Sequence, residues 1–198
     1  MNLVIKRLWD IFLVLITAPF WLPIFAVVAI LVKATTKGPI FFTQKRYGRG
    51  RKFFRIYKFR SMYVDAPKDV PTHLLQNPQA MITPIGRFLR KTSLDELPQL
   101  LNILKGDLSL VGPRPALWNQ DDLIAEREKY GANDIPVGLT GLAQVSGRDE
   151  LPIEKKAAYD GEYARRMNFF LDIVILFRTV IKAFFGVGVV EGGSDTEV

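Results

Sequence analysis

Residues 11–32, from Ile11 to Val32, form 22 consecutive positions without a charge. As a helix this stretch would reach about 33 Å, enough to cross a hydrocarbon core of about 30 Å. It is too long for a signal-peptide core and has no small-x-small cleavage site after it. Pro19 and Pro23 interrupt it four residues apart. Each removes a backbone donor and crowds the preceding turn, so a kink or break is expected there. Basic residues flank both ends: Lys6 and Arg7 before, then Lys33, Lys37, Lys45 and Arg46 after. Positive flanks favour the cytoplasmic side. A re-entrant, proline-broken helix keeps both flanks there, whereas a crossing helix strands one outside. The Thr17 hydroxyl stands ready for backbone groups freed at the break.

Past this segment the pattern changes period. Residues 39–60 read as a β-hairpin, with aromatic and β-branched runs either side of Tyr47-Gly-Arg-Gly50. Helical spacing then recurs over residues 84–92 and 94–105, the latter closed by Lys105-Gly-Asp107. Residues 65–83 read as a loop, 119–131 as a polar helix, 138–148 as a glycine-rich loop and 152–166 as a charged helix. Residues 168–185 pair a broad apolar face with Asp172, Arg178 and Lys182, which suits either a helix at a membrane surface or a core helix. The fold class expected is α+β, mostly helical, with amphipathic interfacial helices around the site. A single membrane-associated catalytic domain is expected over 1–190 (re-entrant helix 1–36, catalytic part 37–190), with a disordered tail at 191–198.

Charge sharpens the picture. Up to residue 64 there are 12 Lys/Arg and one acid, Asp10, so that part carries +11. The remainder carries 15 Lys/Arg and 19 acids, or −4. Basicity confined to one part implies an anionic partner there: phospholipid, nucleic acid or a phosphorylated substrate. The chain has no cysteine, which excludes disulfides, thiolate nucleophiles and Cys-bound metals. Its one histidine, His73, has no motif around it and reads as a surface residue.

Ser93-Leu-Asp-Glu96 has the form of a capping box, with Ser93 as N-cap and Glu96 three residues on. Asp95 would then sit in a first helical turn, where the dipole favours its ionised form and an anionic phosphate beside it. That position serves a cap and a carboxylate nucleophile alike. Arg87, Arg90 and Lys91 precede the pair, and Lys58 and Arg60 end the hairpin. Arg114 stands between two prolines and Arg148 ends the glycine-rich stretch. Guanidinium groups held by such turns suit bidentate recognition of phosphate oxygens. No P-loop or Rossmann glycine pattern is present.

Four segments, in this order, resemble the monotopic phosphoglycosyl transferases, a family of bacterial sugar transferases. They are Lys58-Phe-Arg-Ser-Met62, Ser93-Leu-Asp-Glu-Leu-Pro-Gln99, Lys105-Gly-Asp-Leu-Ser-Leu-Val-Gly-Pro-Arg-Pro115 and Gly138-Leu-Thr-Gly-Leu-Ala-Gln-Val-Ser-Gly-Arg148. The resemblance covers nearly the whole chain and matches the family's minimal catalytic form. It implies a re-entrant helix with catalytic parts on the cytoplasmic face of the bacterial inner membrane. It implies Asp95 as nucleophile on the β-phosphorus of a UDP-sugar, with UMP released and the phosphosugar passed to undecaprenyl phosphate. Mg²⁺ would bridge Asp95 and the diphosphate, and Glu96 would orient this arrangement. Lys58, Arg60, Arg90, Arg114, Arg148 and Gln144 would bind phosphate and nucleotide. Leu142 replaces the aromatic that many relatives carry before Ala-Gln, which alters the packing expected of that loop. A non-enzymatic adaptor, with the basic hairpin on anionic lipid or nucleic acid, is the alternative. It gives no reason for the Pro-Arg-Pro and glycine-rich segments, so partners expected are UDP-sugar, undecaprenyl phosphate and membrane lipids, and no nucleic acid.

Overall fold

A computed structural model describes residues 1–67, 77–147 and 151–185. His73, Arg148 and the expected 191–198 tail lie outside them. The apolar segment forms two helices, α1 (Leu3–Ile16) and α2 (Ala18–Thr35), that meet at Thr17. The break precedes Pro19, which occupies the first turn of α2, where a missing N–H removes no helical bond. Pro23 lies inside α2. Carbonyls freed at the junction find local donors. Thr17 Oγ1 donates to Leu13 O at 2.6 Å, and the indole Nε1 of Trp21 donates to Val14 O at 3.0 Å.

One side of this helix pair is inward. Lys6, Asp10, Val14, Trp21, Val28 and Val32 are buried. Val14 and Trp21 pack with Leu100, Ile103, Leu108 and Val137; Val28 and Val32 pack with Phe59 and Leu89. The other side exposes Val4, Leu8, Phe12, Leu15, Phe20, Leu22, Val27 and Ile30. Exposed apolar area of this kind marks a contact surface for a membrane or another protein, and α2 is by length and composition able to cross a membrane.

The hairpin joins β1 (Phe41–Tyr47) to β2 (Phe53–Phe59), antiparallel, with Phe41 opposite Phe59 and Phe42 opposite Lys58. Two short helices, α3 (Pro78–Met81) and α4 (Pro84–Lys91), follow. The helix expected over 94–105 is divided. A 3₁₀ turn covers Leu94–Glu96, and α5 covers only Gln99–Lys105, after Pro98. It stops at Gly106, as expected, in the left-handed conformation at φ 95°.

The glycine-rich stretch is more ordered than a loop. Strand β3 (Ser109–Val111) pairs in parallel with β4 (Gly138–Thr140), and α7 (Leu142–Ser146) follows β4. Between the strands lies α6 (Asp121–Glu128), shorter than the helix expected over 119–131. The last two helices, α8 (Ile153–Arg166) and α9 (Phe169–Phe185), match their expected spans closely.

A buried polar knot joins the N-terminal helix to the catalytic part. Lys6 Nζ lies 2.7 Å from Asp172 Oδ2, with both side chains 1% exposed. Tyr163 donates its hydroxyl to Asp172 Oδ1 at 2.6 Å, and Ser109 Oγ donates to Asp10 at 2.7 Å. Arg7 donates to the carbonyls of Ile103 and Leu104 at the end of α5. Lys6 and Arg7, which the sequence offered as a basic flank of the apolar segment, therefore serve the protein's interior. Asp172 likewise faces inward, while Phe170, Ile173, Val174, Phe177 and Val180 of α9 face out.

Removing one partner of a buried ion pair strands the other charge. Lys6→Met should therefore destabilise the protein by about 3–5 kcal/mol. The double variant Lys6→Met/Asp172→Leu should recover much of that loss, since Tyr163 keeps Val111 O as a second acceptor at 3.2 Å. Thermal unfolding in detergent measures both.

Candidate active site

The dyad lies just after a backbone reversal. Thr92 closes α4, and Ser93 takes the left-handed conformation at φ 57°, ψ 16°. Its side chain makes no cap hydrogen bond, so the capping box expected from Ser93 and Glu96 is not formed. A non-glycine residue at such angles carries strain of about 1–3 kcal/mol, which persists only where the surroundings enforce it. The consequence is that Asp95 and Glu96 share a single 3₁₀ turn, without the long helix dipole behind them.

Glu96 takes the ionic partners that surround the pair. Its Oε1 accepts from Lys58 Nζ at 2.7 Å and from Arg114 Nη2 at 2.9 Å. Asp95 Oδ2 has Lys58 Nζ at 3.7 Å, and no hydrogen bond holds its carboxylate among the described residues. Burial works to raise both carboxyls. For Glu96, the nearby Arg114 and Lys58 overcome burial and hold it well below the usual carboxylate range. For Asp95, burial prevails over Lys58, the Glu96 charge adds to it, and the carboxyl is pushed up. The two acids thus differ: one is a fixed anion that anchors cations, the other is poised and uncommitted.

Asp95 and Glu96 line a cavity of about 510 Å³, together with Lys58, Arg90, Arg114 and Gln144. Gln144 is 8% exposed, and neither polar atom of its amide has a hydrogen-bond partner among the described residues. Arg60 also lines the cavity, but its guanidinium is turned to the exit of α2. It donates to Lys37 O at 2.6 Å, Thr36 O at 3.0 Å and Thr36 Oγ1 at 2.6 Å. It is 5% exposed and acts as a brace.

Two further residues on the cavity wall carry no motif. Arg127 and Asp160 form an ion pair at 2.7 Å, with side chains 4% and 1% exposed. Arg127 also donates to the backbone carbonyl of Arg114 at 2.9 Å, holding the Pro113-Arg114-Pro115 segment in place. The same segment is pinned from beneath, where Gly138 N donates to Pro113 O and Gly112 N to Thr140 O, both at 2.8 Å. A Cβ on Gly112 would stand 2.2 Å from Pro136 O, and one on Gly138 2.1 Å from Gly112 N. Only glycine allows these backbones to approach so closely.

No group of three acidic, histidine or cysteine side chains gathers among the described residues. A magnesium ion needs no such cage when substrate phosphates complete its shell beside one or two carboxylates. The uncommitted Asp95 fits that mode.

A family model described as "Bacterial sugar transferase" matches residues 1–186. The chain belongs to this family. It is 41% identical over 191 residues to the uncharacterized sugar transferase EpsL of Bacillus subtilis, covering 94% of this chain and 91% of that protein. It is 40% identical over 196 residues to the UDP-glucose:undecaprenyl-phosphate glucose-1-phosphate transferase of Klebsiella pneumoniae, covering 92% of this chain. It is also 35% identical over 192 residues to an Aeromonas hydrophila UDP-N-acetylgalactosamine-undecaprenyl-phosphate N-acetylgalactosaminephosphotransferase, covering 93% of this chain. The chain spans 41% and 44% of the lengths of the latter two, so it corresponds to one part of those larger sugar transferases.

Proposed function

We propose that this sugar transferase moves a phosphosugar from a UDP-sugar to undecaprenyl phosphate in two displacements at Asp95. The observation that carries this reading is a buried carboxylate, held by no hydrogen bond among the described residues, beside a neighbour that already binds two cations. An Asp95 oxygen attacks the β-phosphorus of the donor. The bond from that phosphorus to the oxygen bridging it to the α-phosphate breaks, and UMP leaves with that oxygen. A phosphate oxygen of undecaprenyl phosphate then attacks the same phosphorus. The Asp95–phosphorus bond breaks, the carboxylate is regenerated, and undecaprenyl-diphosphate-sugar is released.

Covalent catalysis of this kind divides one difficult transfer into two easier ones. Lys58 and Arg114 stand where charge builds on the transferred phosphoryl group, and Glu96 holds both in position. Arg90 and Gln144 complete the polar wall, and Arg148 ends the adjoining motif. Mg²⁺, held by Asp95 with the diphosphate, would neutralise charge on the phosphates and the leaving group. The product would be the first lipid-linked intermediate of glycoconjugate or polysaccharide synthesis.

The helix pair is read as re-entrant, with the catalytic part on the cytoplasmic face of the bacterial inner membrane. Both its ends support this. Arg7 ties the start of α1 to α5, and Arg60 ties the end of α2 to the hairpin. Cysteines introduced at Leu3 and Thr36 of this cysteine-free chain should both be labelled from the cytoplasmic side only. Labelling from opposite sides would contradict re-entry.

Asp95→Asn should abolish UMP release from a UDP-sugar supplied with Mg²⁺ and polyprenyl phosphate, with thermal stability retained. Full activity in that variant would refute the nucleophile. The pH dependence follows from the opposing neighbours. Because burial raises Asp95, the acid limb of the rate profile should lie above the ordinary aspartate range. Lys58→Met removes a lowering charge and should move that limb to higher pH. Glu96→Gln removes a raising one and should move it to lower pH. Steady-state UMP release across pH reads both signs.

A further inference from the structure

The cavity has two chemically different ends, and the hairpin measures the distance between them. Phe41 and Phe42 of β1 lie opposite Phe59 and Lys58, so the dyad's lysine stands one residue from the start of the strand. At the other end of β1, Arg46 bridges to Leu117, where Gln120, Leu123 and Lys156 line the cavity. The four residues from Phe42 to Arg46 span about 14 Å along the strand. The dyad therefore sits off-centre, near one end.

That nearer end is apolar and lies against the membrane helix. Phe41 lines the cavity and stacks on Phe59 at 5.6 Å, and it also meets Phe25 of α2 at 5.8 Å between ring centroids. Pro39, Met62, Tyr63 and Val64 line the same end. Phe41 is 40% exposed, and Tyr63 and Val64 are each 50% exposed, although they border a catalytic cavity. The opening is held at the point where α2 ends. Arg60 grips Thr36 and Lys37, and Gly38 turns the chain at φ 120°. A Cβ there would collide with the Arg60 guanidinium at 2.0 Å and meet Val64 at 3.0 Å.

Resting on the transferase reading above, we infer that Phe41, Met62, Tyr63 and Val64 form the entry for the acceptor. The acceptor is a phosphate monoester on a long hydrocarbon chain. Its phosphate reaches Asp95 from the short apolar arm, while its first isoprene units rest on these side chains, level with the end of α2. The donor nucleotide takes the longer polar arm toward Leu117, Gln120 and Lys156. This arrangement keeps the hydrocarbon and the nucleoside in different arms, while the lipid phosphate takes the place that UMP vacates on the phosphorus, in line with the Asp95 oxygen. It also keeps the hydrocarbon at the apolar end, since moving it into the polar arm would strand unpaired polar groups.

Tyr63→Asp and Val64→Asp place charges at exposed positions, and their thermal unfolding should match that of the unaltered protein. In detergent micelles each should raise the KM for long-chain polyprenyl phosphate about tenfold or more, equivalent to about 1.4 kcal/mol. The KM for UDP-sugar, and exchange of labelled UMP into UDP-sugar without acceptor, should stay within twofold. Lys156→Ala should show the reverse pattern, with the donor KM raised and the acceptor KM retained. Normal exchange with an unchanged acceptor KM overturns the entry assignment alone. So does loss of binding to anionic phospholipid vesicles with no change in acceptor KM, which would make the patch a bilayer contact only. Absence of lipid-linked product from the unaltered protein supplied with donor and acceptor overturns the transferase reading and this one with it.

Discussion

One oxygen of Glu96 accepts from Lys58 at 2.7 Å and from Arg114 at 2.9 Å, and three separately folded segments meet there. Lys58 comes from the hairpin, Arg114 from the proline-bounded segment after β3, and Glu96 from the 3₁₀ turn that follows α4. Without the shared anion, two cations would face each other on the wall of a cavity, at a cost in repulsion and desolvation. With it, the cations are fixed, and Asp95, one residue away, keeps only the longer 3.7 Å approach of Lys58 among the described residues. Burial raises both carboxyls, and the opposite directions of their shifts follow from which of the two holds the cations.

The rest of the structure keeps that meeting point in register. Arg127, paired with Asp160, holds the carbonyl of Arg114. Glycines 112 and 138 let β3 and β4 approach closely enough to anchor the flanking prolines. The two apolar N-terminal helices are bound to the same body by polar groups. Lys6 meets Asp172 in the interior, and Arg60 meets the end of α2. An apolar helix pair has little reason of its own to choose one orientation on a protein surface, because lipid satisfies it equally well on every side. Buried charge and hydrogen bonds supply the orientation that apolar packing alone does not.

Much of this was legible in the chain. The hairpin, the spans of α4, α8 and α9, the stop at Gly106 and the break near the prolines follow from local periodicity and turn residues. Local pattern misled where a single backbone angle decides. Ser93 has the sequence of an N-cap and adopts a left-handed reversal, which shortens the expected helix to Gln99–Lys105. Three-residue strands such as β3 and β4 carry too little alternation to be read, and their pairing depends on contacts about thirty residues apart. Arg127 and Asp160 are 33 residues apart and look like ordinary charges on polar helices. Lys6 and Asp172, 166 residues apart, were legible only as a basic flank and a polar face. Arg60 sits in a motif full of phosphate-binding candidates, yet its terminal nitrogens serve Thr36 and Lys37 at the end of α2.

The division of labour between the two acids is tested most directly by mass spectrometry of the protein after incubation with a UDP-sugar and Mg²⁺, without acceptor. A covalent phosphosugar adduct on Asp95, present in the unaltered protein, absent in Asp95→Asn and discharged on adding undecaprenyl phosphate, is the result this account predicts. Turnover that proceeds only when acceptor is present, with no adduct trapped on Asp95, would contradict it.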